Sequence, residues 1–201
     1  MGTQVAKVGI IGAGQMGKGI AQVCAASGFK VALNDVSEDR LKSAVEDIDS
    51  AFARQQERGQ LTAAERSERM ASISISSDYA AFGDCDLVIE AASENEELKR
   101  KIFAQLCPVI RKDAIIASNT SSISITRLAA STDRPERFIG IHFMNPVPRM
   151  QLVELIRGIA TEDDTFEASR DFIGKLGKTI TFSEDFPAFI VNRILLPMIN
   201  E

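Results

Sequence analysis

The chain has 201 residues, room for one domain and a fraction of another at roughly 150 residues each, and a core of that size needs no disulfide scaffold. Its net charge of −5 excludes the strongly basic balance by which proteins grip nucleic acid through its phosphates. With 45% hydrophobic and 25% charged residues it has the proportions of a globular protein and not of a disordered or fibrous one.

Short apolar runs alternate with segments of 3.6-residue period, the pattern of strands joined by crossover helices. VAKVGII (residues 5–11) reads as a first strand ending at Gly12, followed by a small-residue helix over 14–27 that Gly28 can cap. FKVALND (29–35) is the second strand. The stretch after it keeps Leu41, Ala44, Val45, Ile48, Ala51 and Phe52 on one helical face to about Arg58, and a further helix falls near 62–71. SISIS (72–76) and DLVIEAA (86–92) are the third and fourth strands. Ser93 and Glu96 then have the spacing of a capping box for a helix carrying Leu98, Ile102, Leu106 and Val109. AIIAS (114–118), FIGIH (138–142), MQLVELI (150–156) and TITFS (179–183) read as strands, with a short helix over 124–130. Thr161 and Asp164 are expected to open a helix that stops at Gly177, and a last helix runs from about Ala188. The fold class this predicts is α/β, a doubly wound and mostly parallel sheet.

GAGQMG places Gly12, Gly14 and Gly17 directly after a strand and at a helix start, the context in which this pattern signals a dinucleotide. Gly12 permits the tight turn, Gly14 lets a pyrophosphate approach the backbone, and Gly17 lets helix and strand pack closely; Ala13, Gln15 and Met16 complete the loop. Asp35 follows Gly12 by 23 residues and ends the second strand, where a carboxylate accepts from an adenosine ribose. Its charge opposes a 2′-phosphate, so the predicted cofactor is NAD rather than NADP.

His142 is the only histidine. That excludes a His-based metal site, and no metal is expected. A lone histidine is commonly structural, yet this one closes a strand at the carboxyl edge of the sheet, where ligands bind in such folds. Glu154 shares a strand face with Leu152 and Ile156; an acid on an apolar face needs a partner, and a histidine it can orient is the natural one. SNTSS (118–122) follows another strand end and is dense in groups able to hold a substrate oxygen. Glu94, Asn95 and Lys99 begin the helix after the fourth strand, where acids also serve the helix dipole alone. The short-chain dehydrogenase class requires Lys four residues after its Tyr; the single tyrosine, Tyr79, has Gly83 there, which removes that class.

Cys24, Cys85 and Cys107 form no CxxC pair, which favours a reducing compartment. The longest uncharged stretch, 114–126, is 13 residues and half polar, short of the roughly 20 apolar residues of a bilayer span. The opening MGTQVAKVGIIG lacks a basic leader, and Ala6 breaks a myristoylation pattern. The expectation is a cytoplasmic protein with neither membrane nor nucleic-acid partners.

GAGQMG, Asp35 after VALN, DLVIEAA with Glu94 and Lys99, IIASNTSS, FIGIHFMNPVP, LVELI and PAFIVNR closely resemble, in that order and spacing, the L-3-hydroxyacyl-CoA dehydrogenase family, its bacterial 3-hydroxybutyryl-CoA members most of all. The resemblance spans essentially the whole chain, and the SNTSS and HFMNPVP blocks are far more specific than the glycines. It implies a Rossmann-type NAD-binding domain over 1–184, with 185–201 the first helix of an otherwise missing helical substrate and dimerisation domain. It further implies hydride transfer between NAD and C3 of an acyl-CoA in fatty acid metabolism, by a homodimer when that second domain is present. His142 would be the general base, Glu154 its orienting acid, and Ser121 and Asn192 would contact the reacting oxygens and cofactor. Glu94, Lys99 and Asn145 would line the nicotinamide-ribose end.

Two departures accompany the resemblance. Ala188 stands where the family usually has glycine. For the CoA phosphates the family uses a basic residue late in the helix after the second strand; Arg58 matches that place with Arg54 one turn earlier, but the neighbouring family serine is matched by Ala51. Both arginines also read as a solvated helix face. Two other functions stay open on sequence grounds: a crystallin-like structural or sensory dinucleotide binder, and a dehydrogenase of a non-CoA L-3-hydroxy acid.

Overall fold

A computed structural model describes residues 4–200. The strands are β1 (Lys7–Ile11), β2 (Lys30–Asn34), β3 (Ile73–Ser76), β4 (Leu87–Glu90), β5 (Ile115–Ser118), β6 (Phe138–Phe143), β7 (Leu152–Arg157) and β8 (Thr179–Glu184). They form one sheet in the order β3-β2-β1-β4-β5-β6-β7-β8. Every pair is parallel except β6 with β7. Strand order therefore reverses between β1 and β4, and the crevice beyond their carboxyl ends is where such sheets bind ligands.

Helices cover both faces, so the central strands are apolar at nearly every position instead of alternating. On one face α1 (Gln15–Ala26), α2 (Glu38–Glu57) and α6 (Asp163–Lys175) pack Ile20, Ile48 and Phe172 against Val8, Ile10 and Leu33. The opposite face receives Phe103 and Leu106 of α4 (Glu96–Leu106) and Leu128 of α5 (Ile125–Ala129), which meet Val88, Ile116 and Phe138. A short helix, α3 (Ala63–Ala71), carries a full capping box between Thr62 and Glu65. The final helix, α7 (Val191–Asn200), leaves Ile194, Leu195, Leu196 and Met198 exposed.

The predicted elements and order are present, but two helix starts differ. For α4 the cap is Asn95, whose side chain accepts from Leu98 N, and not Ser93 with Glu96. Residues 91–94 are turned aside instead, with Ala92 N donating to Glu90 and Asn95 N to the Ser93 carbonyl. Thr161 does not open α6, which starts after Glu162. Its hydroxyl donates to the Phe138 carbonyl and accepts from Gly158 N, tying the loop to β6.

Candidate functional site: a nucleotide cleft beside a histidine–glutamate pair

The nucleotide loop is built by two contacts that only glycine allows. Gly12 sits at φ +100°, and a Cβ on Gly17 would stand 1.7 Å from the Gly12 carbonyl oxygen. The turn therefore closes tightly enough to aim the start of α1 at the cleft. The N-cap of α1 is Gly14, with no side-chain cap and no acid in the first turn. Its free N–H groups and positive dipole end thus stay available to an anion.

Asp35 is held rigidly beside this loop. One carboxylate oxygen accepts from Ala13 N at 2.9 Å and the other from Ser37 N at 3.0 Å. Arg40 reaches within 4.0 Å from solvent. A cleft of ≈ 540 Å³ runs past Gly14, Gln15, Met16 and Asp35 to Tyr79 and Ile102, apolar on most of its lining and long enough for a nucleotide.

Farther along the edge, Glu94 gathers the SNTSS loop. Its carboxylate accepts from Thr120 Oγ1 at 2.6 Å, Ser121 N at 2.8 Å and Ser122 N at 3.1 Å. Burial pushes the Glu94 carboxyl up, but these donors and the Lys99 charge outweigh it and hold it below the usual carboxylate range. Lys99 is only 1% exposed and lies behind Glu94, so it does not itself line the cleft as the family resemblance implies. Gln15 Nε2 donates to Asn145 Oδ1 at 3.0 Å, joining the nucleotide loop to the segment after β6.

The antiparallel β6–β7 pair sets His142 directly opposite Glu154. Nδ1 of the histidine and Oε2 of the glutamate are 2.7 Å apart, with Glu154 fully buried. The other carboxylate oxygen accepts from Ile190 N at 3.0 Å and Val191 N at 2.9 Å. Burial raises the Glu154 pKa, yet the His142 hydrogen bond and the two backbone donors outweigh it, and the net shift is downward. An ionised carboxylate only accepts, so Nδ1 of His142 carries the proton and donates it to Glu154. Nε2 is the ring nitrogen not engaged by Glu154. Ser121 belongs to the same edge, its carbonyl accepting from Asn192 Nδ2 at 3.0 Å.

The two donors to Glu154 come from a turn in which Ala188 has φ +66° and Phe189 φ +50°. Left-handed backbone costs a Cβ-bearing residue roughly 1–2 kcal/mol, and the sequence departure from glycine falls at this turn. Ala188→Gly is expected to raise the denaturant midpoint, by about 1 kcal/mol of stability at unchanged slope. A lowered midpoint would show that the turn carries no such strain.

The arginines are not drawn in equally. Arg54 lines a second groove of ≈ 330 Å³ with Lys18, Gln15 and Asn145. Arg58 is the exposed C-cap of α2 and lines neither groove. Sequence reasoning also passed over Glu90, which is completely buried under the cleft. Its signal was an acid ending an otherwise apolar strand run, with a lysine nine positions on. Burial raises the thiol pKa of all three cysteines, that of Cys85 to about 12, so they are inert fillers of the core. Among the described residues no cluster of His, Cys, Asp or Glu can hold a metal ion, and no helix is long and apolar enough to cross a membrane.

The reversed strand order, the glycine cradle and the acid held beside it just after β2 define a dinucleotide-binding α/β domain. Residues 7–186 match the family model described as 3-hydroxyacyl-CoA dehydrogenase, NAD binding domain. A 3-hydroxybutyryl-CoA dehydrogenase of Bradyrhizobium diazoefficiens is 63% identical over 201 residues, all of this chain and 69% of that protein. The crystal structure of (S)-3-hydroxybutyryl-CoA dehydrogenase from Ralstonia eutropha superposes with a TM-score of 0.95 at 48% identity, covering 98% of this chain and 70% of that one. That of Escherichia coli 3-hydroxybutyryl-CoA dehydrogenase gives 0.94 at 41%, over 96% of this chain and 41% of the other. The chain belongs to the 3-hydroxyacyl-CoA dehydrogenase family and is an NAD-dependent oxidoreductase of that type.

Proposed function

We propose that this protein interconverts 3-hydroxybutyryl-CoA and acetoacetyl-CoA, with His142 as general base and Glu154 as the acid that orients it. The observation that carries the reading is the 2.7 Å His142–Glu154 pair at the ligand edge of the sheet, on the strand whose following segment is tied to the nucleotide loop through Gln15 and Asn145. When bound, NAD supplies the acceptor for the hydride that leaves C3. As the C3 hydroxyl becomes a carbonyl, Nε2 of His142 takes the hydroxyl proton, and in reduction it returns it. Glu154 balances the imidazolium so formed and fixes the tautomer. Ser121 and Asn192 support the reacting oxygen, where negative charge grows if proton transfer lags.

The rest of the reading assigns binding. Gly12, Ala13, Gly14, Gln15, Met16 and Gly17 hold the pyrophosphate, and Asp35 the adenosine ribose. Glu94 and Asn145 face the nicotinamide ribose, with Lys99 behind them. Arg54 in its groove is better placed than Arg58 to meet the CoA phosphates. The enzyme works in the cytoplasm, as a homodimer when the helical second domain is present; three free, buried thiols suit a reducing compartment.

Side-by-side assays test the substrate. NADH oxidation is expected with acetoacetyl-CoA and not with a free 3-oxo acid or sugar acid; turnover of the free acid alone would reverse the assignment. Asp35→Ala is expected to weaken NADH about tenfold and NADPH much less, roughly the 1.4 kcal/mol of a charged hydrogen bond. Titration with both nucleotides reads this out, and an unchanged preference removes Asp35 from the ribose site.

A further inference from the structure

Glu90 is the last residue of β4 and has no exposed surface. A carboxylate there is tolerated only if its oxygens are satisfied, and they are satisfied from three separate segments. Oε1 accepts from Ala92 N at 2.7 Å and from Lys99 Nζ at 2.7 Å. Oε2 accepts from Ser118 Oγ at 2.6 Å and again from Lys99 Nζ, at 2.8 Å. One side chain thus pins the turn after β4, the first turns of α4 and the end of β5.

Lys99 passes this constraint outward. Its ammonium sits 3.4 Å from the Ala92 carbonyl and 3.6 Å from Glu94 Oε2. Glu94 is partly exposed, at 38%, and follows Ala92 and Ser93, which line the cleft. It also carries the donors of residues 120–122. Two buried charges in mutual contact would hold α4 equally well as an apolar pair, so the charge itself calls for a reason. The reason lies at the exposed end of the row, where a carboxylate must be aimed.

We propose that Glu90 is a positioning residue for the nicotinamide half of the cofactor site: through Lys99 it aims Glu94 and the 120–122 loop at the second ribose. The proposal rests on the placement of Glu94 given above. The two halves of the dinucleotide are distinguished by side-chain contacts: the carboxylate of Asp35 is held by Ala13 N and Ser37 N, and the carboxylates of this row by Ala92 N, Lys99, Ser118 and residues 120–122, although Ala92 and Ile102 line the same cleft as Asp35.

The test compares NADH with ADP, which carries the adenosine and diphosphate but no second ribose. In Glu90→Gln, NADH affinity is expected to fall about tenfold while ADP affinity stays within about twofold. NADH bound as in the parent, or ADP weakened in step with NADH, overturns the proposal. Should that variant fail to fold by circular dichroism, Glu90→Gln/Lys99→Met removes both charges together and is expected to show the same split. If neither variant folds, the pair is structural and the proposal falls. A parent chain that binds neither nucleotide would instead refute the cofactor-site reading itself.

Discussion

Replacing His142 by glutamine is expected to lower the rate of acetoacetyl-CoA reduction by about a thousandfold, within the range proton transfer by a positioned base contributes. NADH binding should stay within about twofold of the parent. Glutamine keeps a polar group opposite Glu154, and its amide can donate to the carboxylate as Nδ1–H does, so the β6–β7 pair is not asked to bury an unpaired acid. What it lacks is the titratable lone pair of Nε2. Steady-state kinetics together with nucleotide titration separate the two effects, and turnover retained alongside normal binding would remove His142 from the chemistry.

The second large effect is expected at Glu154. Glutamine there is neutral, so it neither stabilises the imidazolium nor dictates which ring nitrogen carries hydrogen, and the rate is expected to fall about a hundredfold. The pH dependence gives an independent reading. The folded-state pKa of Glu154 lies below its ordinary value, so the carboxylate contributes stability that is present above the unfolded pKa of roughly 4.3. That contribution is lost as pH falls through the folded pKa. The stability gap between the parent and Glu154→Gln should therefore be widest near neutrality and shrink below about pH 4.3. Denaturant melts from pH 7 to pH 3 measure it; a gap that grows on acidification would mean the acid is buried neutral.

Much of this architecture was legible because burial on both faces of a sheet writes continuous apolar runs. DLVIEAA and FIGIH announce themselves as central strands, and GAGQMG gains meaning from its position between a strand and a helix. Strand direction is not written that way. The reversal at β7 is betrayed only by residues 144–151 between β6 and β7, too few for a crossover helix and so compatible only with an antiparallel return. Caps are ambiguous for another reason. Ser93, Asn95 and Thr161 can each accept from a helix start, and tertiary demands, such as the hold of Thr161 on the Phe138 carbonyl, decide which of them does.

Within the site, His142, Glu154 and Asp35 were legible as side chains in improbable places. Glu90 carried the same kind of signal, an acid ending an apolar run, but Lys99 was read with Glu94 at the start of the next helix, and only the folded chain brings Glu90 and Lys99 within 2.7 Å. Ala188 was visible as a departure from a family glycine, but its left-handed backbone and the two donors it helps deliver to Glu154 belong to tertiary structure. Arg58 shows the converse: its position in the sequence suggested a phosphate contact, while the end of α2 leaves it facing solvent outside both grooves.

The direct opposition of His142 and Glu154 in the β6–β7 ladder makes strand alignment and chemistry a single variable. Side chains along a strand alternate between faces, so a slip of one residue would put Val153 or Leu155 across from the histidine and turn the glutamate to the opposite side of the sheet. Such a slip would leave the number of strands and nearly all the ladder bonds intact while destroying the base. The burial of β7 and its pairing to β8 therefore hold the catalytic alignment as well as the fold, since a slipped strand would also leave Glu154 without His142, Ile190 N and Val191 N.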